Sequence, residues 1–172
     1  MEVAVSQKAL KYALETAFSH LESVARGFNN DGRALGSKLR TRSRSMPALM
    51  FDTGLLPTLT FLWAKAGDET YKKVYGLLEK EEQPQAKGEL GGKEKRAPSL
   101  EELSYALYLY GVLKFLCHNG ILSTDSVADP KSAIESLVRS GINNVMASLR
   151  LLEPYLVELK KLCEAAYEEE KE

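Results

Sequence analysis

Five cations, Arg33, Lys38, Arg40, Arg42 and Arg44, share one stretch of helix length, and no acid falls between Arg33 and Arg44. The chemistry they suggest is a grip on a polyanion. A guanidinium is planar, permanently charged and able to donate two parallel hydrogen bonds to a phosphate. A row of such groups holds a sugar-phosphate backbone without reading its bases. On a wheel of ~100° per residue, Arg33, Arg40 and Arg44 share one side, while Leu35, Leu39, Met46, Leu49 and Met50 share the opposite sector. Lys38 lies on the flank. Arg42 lands near the apolar stripe, so it is expected to pair with an acid elsewhere or to snorkel. Lys8 and Lys11 would widen the patch if the first helix packs alongside. The plainer account of a charged stripe is the solvated face of an amphipathic helix. Ordinary faces mix signs, because like charges one turn apart oppose each other, and this one does not mix them.

Other residue types offer little reactive chemistry. His20 and His118 are the only histidines, far apart and outside any HExxH pattern, so a His-centred triad or metal site is not expected. His118 ends a helix, where a cation suits the dipole. Cys117 and Cys163 lack zinc-ligand spacing and read as reduced thiols. Gly88, Gly91 and Gly92 lie in a charged linker, not in a phosphate loop after a strand. Glu101-Glu102 suits a first helical turn and Glu168-Glu169-Glu170 an acidic tail. Asp52 caps a turn. Tyr105, Tyr108 and Tyr110 sit among Leu, Ala and Val, which places them in a core rather than on a base-stacking platform. Trp63, four residues after Leu59, belongs to the core or to a subunit contact. No catalytic residue, metal, cofactor or small-molecule substrate is expected, and an enzyme is disfavoured.

The totals bound the rest. A chain of 172 residues favours a single domain with a real core. Net charge is −1 and the pI about 6.2, which alone does not mark a nucleic-acid binder. Charge is segregated, however. Bases collect between Arg26 and Arg44 and acids between Glu164 and Glu172, so a local positive field is compatible with a neutral sum. No apolar run is long enough for a membrane helix, and the charged start does not suit a signal peptide. A cytoplasmic location is expected.

Helical periodicity dominates, and the expected fold class is all-α, a bundle of six to seven helices. The first helix runs from about Val3 to Gly27. A second starts near Arg33 and meets Pro47, where a kink or break is expected. Gly54 ends it. Leu55 to Ala66 forms a third, with Pro57 in its first turn, and Asp68 caps a fourth that runs to about Glu82. Residues 83–97 are rich in Gly, Pro and charge and read as a mobile surface loop, the one place where the domain could divide into two subdomains. Ser99-Leu-Glu-Glu is a capping box opening a nearly all-apolar, buried central helix. Asp129-Pro130 starts another helix, and Glu153-Pro154 marks a kink or a new start for the last one.

The segment from Arg42 to Leu62, RSRSMPALMFDTGLLPTLTFL, carries a basic helix, a Met-Pro-Ala-Leu step, a polar turn with Gly, and a Leu-rich helix start. Over roughly Arg40 to Lys65 this order resembles the small α-helical subunit family, the fifth named component, of the type III-B CRISPR effectors known as Cmr complexes. The resemblance implies a non-enzymatic subunit that stacks in the belly of the ribonucleoprotein, beside guide RNA and its paired target RNA, while neighbouring backbone subunits cleave the target. It implies guide and target RNA, other Cmr subunits and further copies of itself as partners. Arg40, Arg42, Arg44 and Lys65 are the basic residues of the matched region; Arg33 and Lys38 come from the wheel alone. The competing expectation is a helical protein–protein adaptor without nucleic-acid contact, in which the acidic tail and the basic helix meet between copies or on a partner.

Overall fold

The computed structural model describes residues 2–82 and 96–171, and these form an all-α bundle. The first rod comprises α1 (Glu2–Leu14), a π-helical turn (Glu15–His20) and α2 (Leu21–Gly27). Next come α3 (Gly32–Thr53), α4 (Leu55–Ala66) and α5 (Asp68–Glu82). After the undescribed stretch follow α6 (Leu100–His118), the short α7 (Thr124–Ala128), α8 (Pro130–Ser140) and α9 (Ile142–Ala166). The expected loop at 83–97 lies largely outside the described residues.

Local chemistry sets the starts. The Asp31 side chain accepts from the Arg33 amide at 2.9 Å and opens α3. Ser99 and Glu102 form both halves of the expected capping box, at 3.1 and 2.9 Å. Asp129 caps α8, with Pro130 in its first turn. Three corners are single glycines. Gly54 joins α3 to α4 at φ 101°, Gly67 joins α4 to α5 at φ 80° and Gly141 joins α8 to α9 at φ 88°, values a side chain rarely adopts.

Of the kink or break expected at the prolines, the break does not occur. Neither Pro47 nor Pro154 interrupts its helix; α3 runs unbroken for 22 residues and α9 for 25. A proline inside a helix costs roughly 3 kcal/mol through a lost hydrogen bond and a ring clash. Both helices are buried on each side of their proline. Ser43, Met46 and Met50 bury around Pro47, and Leu152, Tyr155 and Leu156 around Pro154. That tertiary burial outweighs the local penalty. The last helix starts after Gly141 rather than at the alternative start offered by Glu153-Pro154.

α6 is the hub. From Leu103 to Leu113 every side is buried, and the helix packs on α3, α4, α5 and α9. Tyr105, Tyr108 and Tyr110 are core residues, as their neighbours suggested. One apolar cluster contains residues from both sides of the undescribed stretch. α9 crosses against α1 and α3. At the crossing of α6, α9 and the π turn, Gly111 lets the Tyr155 hydroxyl lie on the α6 backbone, where it hydrogen-bonds Thr16 Oγ1 at 2.9 Å.

Candidate nucleic-acid interface

α3 positions the basic residues. Its apolar stripe of Leu35, Leu39, Met46 and Met50 is buried against α6 and α9, which fixes the azimuth of every other side chain on the helix. The wheel therefore holds, but the ridge opposite is covered. The segment that leaves α9 runs back along α3. Glu169 Oε1 accepts from Arg40 Nη2 at 3.1 Å and from Arg44 Nη1 at 2.7 Å. Glu170 accepts from Lys38 Nζ and from Thr41 Oγ1, both at 2.9 Å. Arg44 Nε also lies 3.5 Å from Glu164. The acidic and basic poles of the chain meet within one molecule.

Arg40 is committed further. Its Nη1 donates to the backbone carbonyls of Glu164 and Tyr167, at 3.0 and 2.7 Å. Those carbonyls end α9, so the guanidinium caps that helix. Arg42 leaves the ridge altogether. It is 9% exposed and lies over the Tyr105 ring at 4.1 Å, donating to the Tyr105 hydroxyl at 2.8 Å and to Glu101 at 3.0 Å. The partner expected from its position near the apolar stripe is Glu101 of α6. Arg33 is exposed and has no ion-pair partner among the described residues. Lys65 is exposed on α4, 5.7 Å from the Phe61 ring. Trp63 is half-buried and donates to Asp68 at 3.2 Å. Lys8 and Lys11 do not extend the patch. α1 lies on α9, and the Lys8 ammonium reaches the His118 carbonyl at 3.4 Å, at the far end of α6.

The sequence offers both charged poles and their meeting between copies or on a partner; the structure joins them within one chain. The signal available was complementarity: an acid-free helix and an acid-rich segment in one chain. It could not specify whether they meet within a molecule or between molecules. The electrostatics agree with the contacts. Burial pushes the Glu170 carboxyl up, but hydrogen bonds from Lys38 and Thr41 outweigh it and hold the group below its ordinary value.

No cluster of His, Cys, Asp and Glu among the described residues has the makings of a metal site. No helix there is long and apolar enough to cross a membrane. A surface depression between α5 and Pro98 holds Arg96, but that guanidinium is engaged by Glu102 at 2.6 Å. Burial pushes the Cys163 thiol up to about 12, with a hydrogen bond from Ser43 acting against it. A thiol so protonated is a poor nucleophile. Cys163 in the folded protein is therefore expected to resist a thiol-reactive disulfide at mildly alkaline pH and to react fully in denaturant; rapid native labelling there would contradict the packing.

The comparisons agree with this architecture. The model of the family described as CRISPR-associated protein (Cas_Cmr5) matches residues 6–117. A relative from Saccharolobus solfataricus, the "CRISPR system CMR subunit Cmr5", is 29% identical over 135 residues, which cover 76% of this chain and 80% of the relative. Among solved structures, a chain of the Type III-B Cmr-beta complex bound to cognate target RNA and AMPPnP superposes with a TM-score of 0.69 at 20% identity, covering 95% of this chain and 99% of that one.

Proposed function

Since the chain belongs to the Cas_Cmr5 family, we propose that it is a non-catalytic small subunit of a type III-B Cmr ribonucleoprotein, holding guide and target RNA by their backbones and packing against other subunits and further copies of itself. The single observation that carries the RNA-holding part is the acid-free face of α3, set rigidly on the core by four buried apolar side chains and carrying Arg33, Lys38, Arg40 and Arg44. Rigid anchoring lowers the entropy lost when a strand is gripped. Contacts of this kind go to phosphates, so binding is indifferent to sequence and falls steeply with salt.

Arg42 supports the site from behind rather than touching RNA, because its fork is engaged by Tyr105 and Glu101. Arg40 has a double role, capping α9 and lending one nitrogen to the face. The test therefore spares both. Arg33→Glu/Lys38→Glu/Arg44→Glu is expected to weaken binding of short RNA of any sequence by about tenfold or more at low salt, and to flatten the salt dependence by about 0.7 per lost phosphate contact. Helicity should stay unchanged. Equal binding by this variant and the wild type would remove the face from the function.

One observation favours an adaptor without RNA contact: the chain already neutralises much of its own basic face. Exposed Val138, Ile142 and Met146 offer that reading an apolar surface around the α8–α9 corner. Light scattering across a salt series without RNA separates the two. Salt-sensitive association together with an RNA-blind face would favour the adaptor.

A further inference from the structure

The acidic segment after α9 lies on α3 as a ligand would. Residues 168–171 have no secondary structure of their own and are exposed. Each carboxylate bridges two donors: Glu169 joins Arg40 to Arg44, and Glu170 joins Lys38 to Thr41. A phosphodiester, with its two unbridged oxygens, takes the same donors. The attachment is most solvated at Glu169 and firmest at its root. The Glu169 side chain is 65% exposed and that of Arg44 50%, so water competes for that pair, while Glu170 and Lys38, at 33% and 29%, are wetted less. The root is Tyr167. Its hydroxyl donates to the Ala17 carbonyl at 2.6 Å, and its ring lies flat on Gly36, where any side chain would collide with it.

A segment tethered this way stays beside the face at high effective concentration while each contact remains easy to break. We propose that Glu169 and Glu170 are a built-in competitor for RNA, seated where two backbone phosphates would sit and displaced when a strand binds. The idea rests on the reading of α3 as an RNA-holding face and adds its regulation. A free subunit then keeps its basic face covered, and a stray polyanion must displace the segment before it gains those contacts. A strand already ordered within a ribonucleoprotein presents several phosphates at once and displaces it. Arg33, exposed two turns before Arg40 on the same side, is left for the first contact.

The experiment compares five full-length proteins, one of them Arg33→Glu/Lys38→Glu/Arg44→Glu in the wild-type background, in binding a short uridine-only RNA across a salt series. Glu169→Gln/Glu170→Gln keeps the shape and removes the charge. It is expected to bind about tenfold tighter than wild type at low salt, with a salt slope steeper by about 1.4 for two uncovered phosphate contacts. Glu135→Gln/Glu153→Gln, two exposed acids elsewhere, makes the same change in net charge and is expected to gain at most about twofold, through the long-range field alone. Adding Arg33→Glu/Lys38→Glu/Arg44→Glu to the tail variant should cancel its gain. If the tail variant binds no better than the charge-matched control while the α3 substitutions still weaken binding, the competitor is wrong and the face survives. If the α3 substitutions are silent in both backgrounds, the face falls and the competitor falls with it.

Discussion

Gly111→Ala lowers stability by about 2–3 kcal/mol, although alanine is the better helix former. Propensity alone favours the change by about 1 kcal/mol. The site decides otherwise. A β-carbon at Gly111 would collide with the Tyr155 hydroxyl and lie 3.1 Å from Thr16. Tyr155 has nowhere to go: it is fully buried and its ring stacks on Phe115 at 4.9 Å. Overpacking of this kind costs about 1–3 kcal/mol, and breaking the Tyr155–Thr16 hydrogen bond in a dry environment adds about 1–3 more. Chemical denaturation measures the loss. The companion variant Gly111→Ala/Tyr155→Phe removes the oxygen that the new methyl meets. It is expected to recover at least half of the loss, a coupling that additive effects would not produce. A Gly111→Ala protein as stable as wild type would mean that α6, α9 and the π turn do not meet at this point.

Arg42→Ala has the second large effect, also near 2–3 kcal/mol. It deletes a cation lying over the Tyr105 ring, a hydrogen bond to the Tyr105 hydroxyl and an ion pair to Glu101. Glu101 is 58% exposed and recovers water when the partner leaves, so the full penalty of a stranded buried charge does not apply. What remains is lost stacking, the Tyr105 hydroxyl and the packing of the arginine stem. Arg42→Met keeps the stem and is expected to lose only about half as much. Arg42→Lys keeps the charge but not the planar fork and falls between them. RNA binding by Arg42→Met is expected to match wild type, since this side chain faces α6. A fall in affinity as large as that of the α3 face variant would move Arg42 back onto the interface.

The two arginines show how far the pattern of residues reaches. Arg40 and Arg42 are two positions apart in a run of like residues, yet one caps a helix end and the other braces a core tyrosine. Helical geometry separates them by about 200°, which the wheel captures. The identity of their partners depends on which helices lie beside α3, and that is a property of the assembled bundle. The prolines give the same lesson with opposite sign. Pro47 and Pro154 carry a strong local signal, and packing overrides it because each helix is buried on both sides of the ring.

From residues alone, the all-α class, the capping box at Ser99, the corner at Gly54, the buried helix around Tyr108 and the family resemblance were all legible. Each depends on interactions within a few positions or on a periodicity that a helix imposes on its own chain. Three things required the folded molecule: that α9 crosses α3, that the acidic segment leaving it lies on the basic face, and that Tyr167 fixes it there against Gly36 and Ala17. These join groups more than a hundred positions apart. Charge complementarity acts through space, and nothing local records which of several possible neighbours a helix will have.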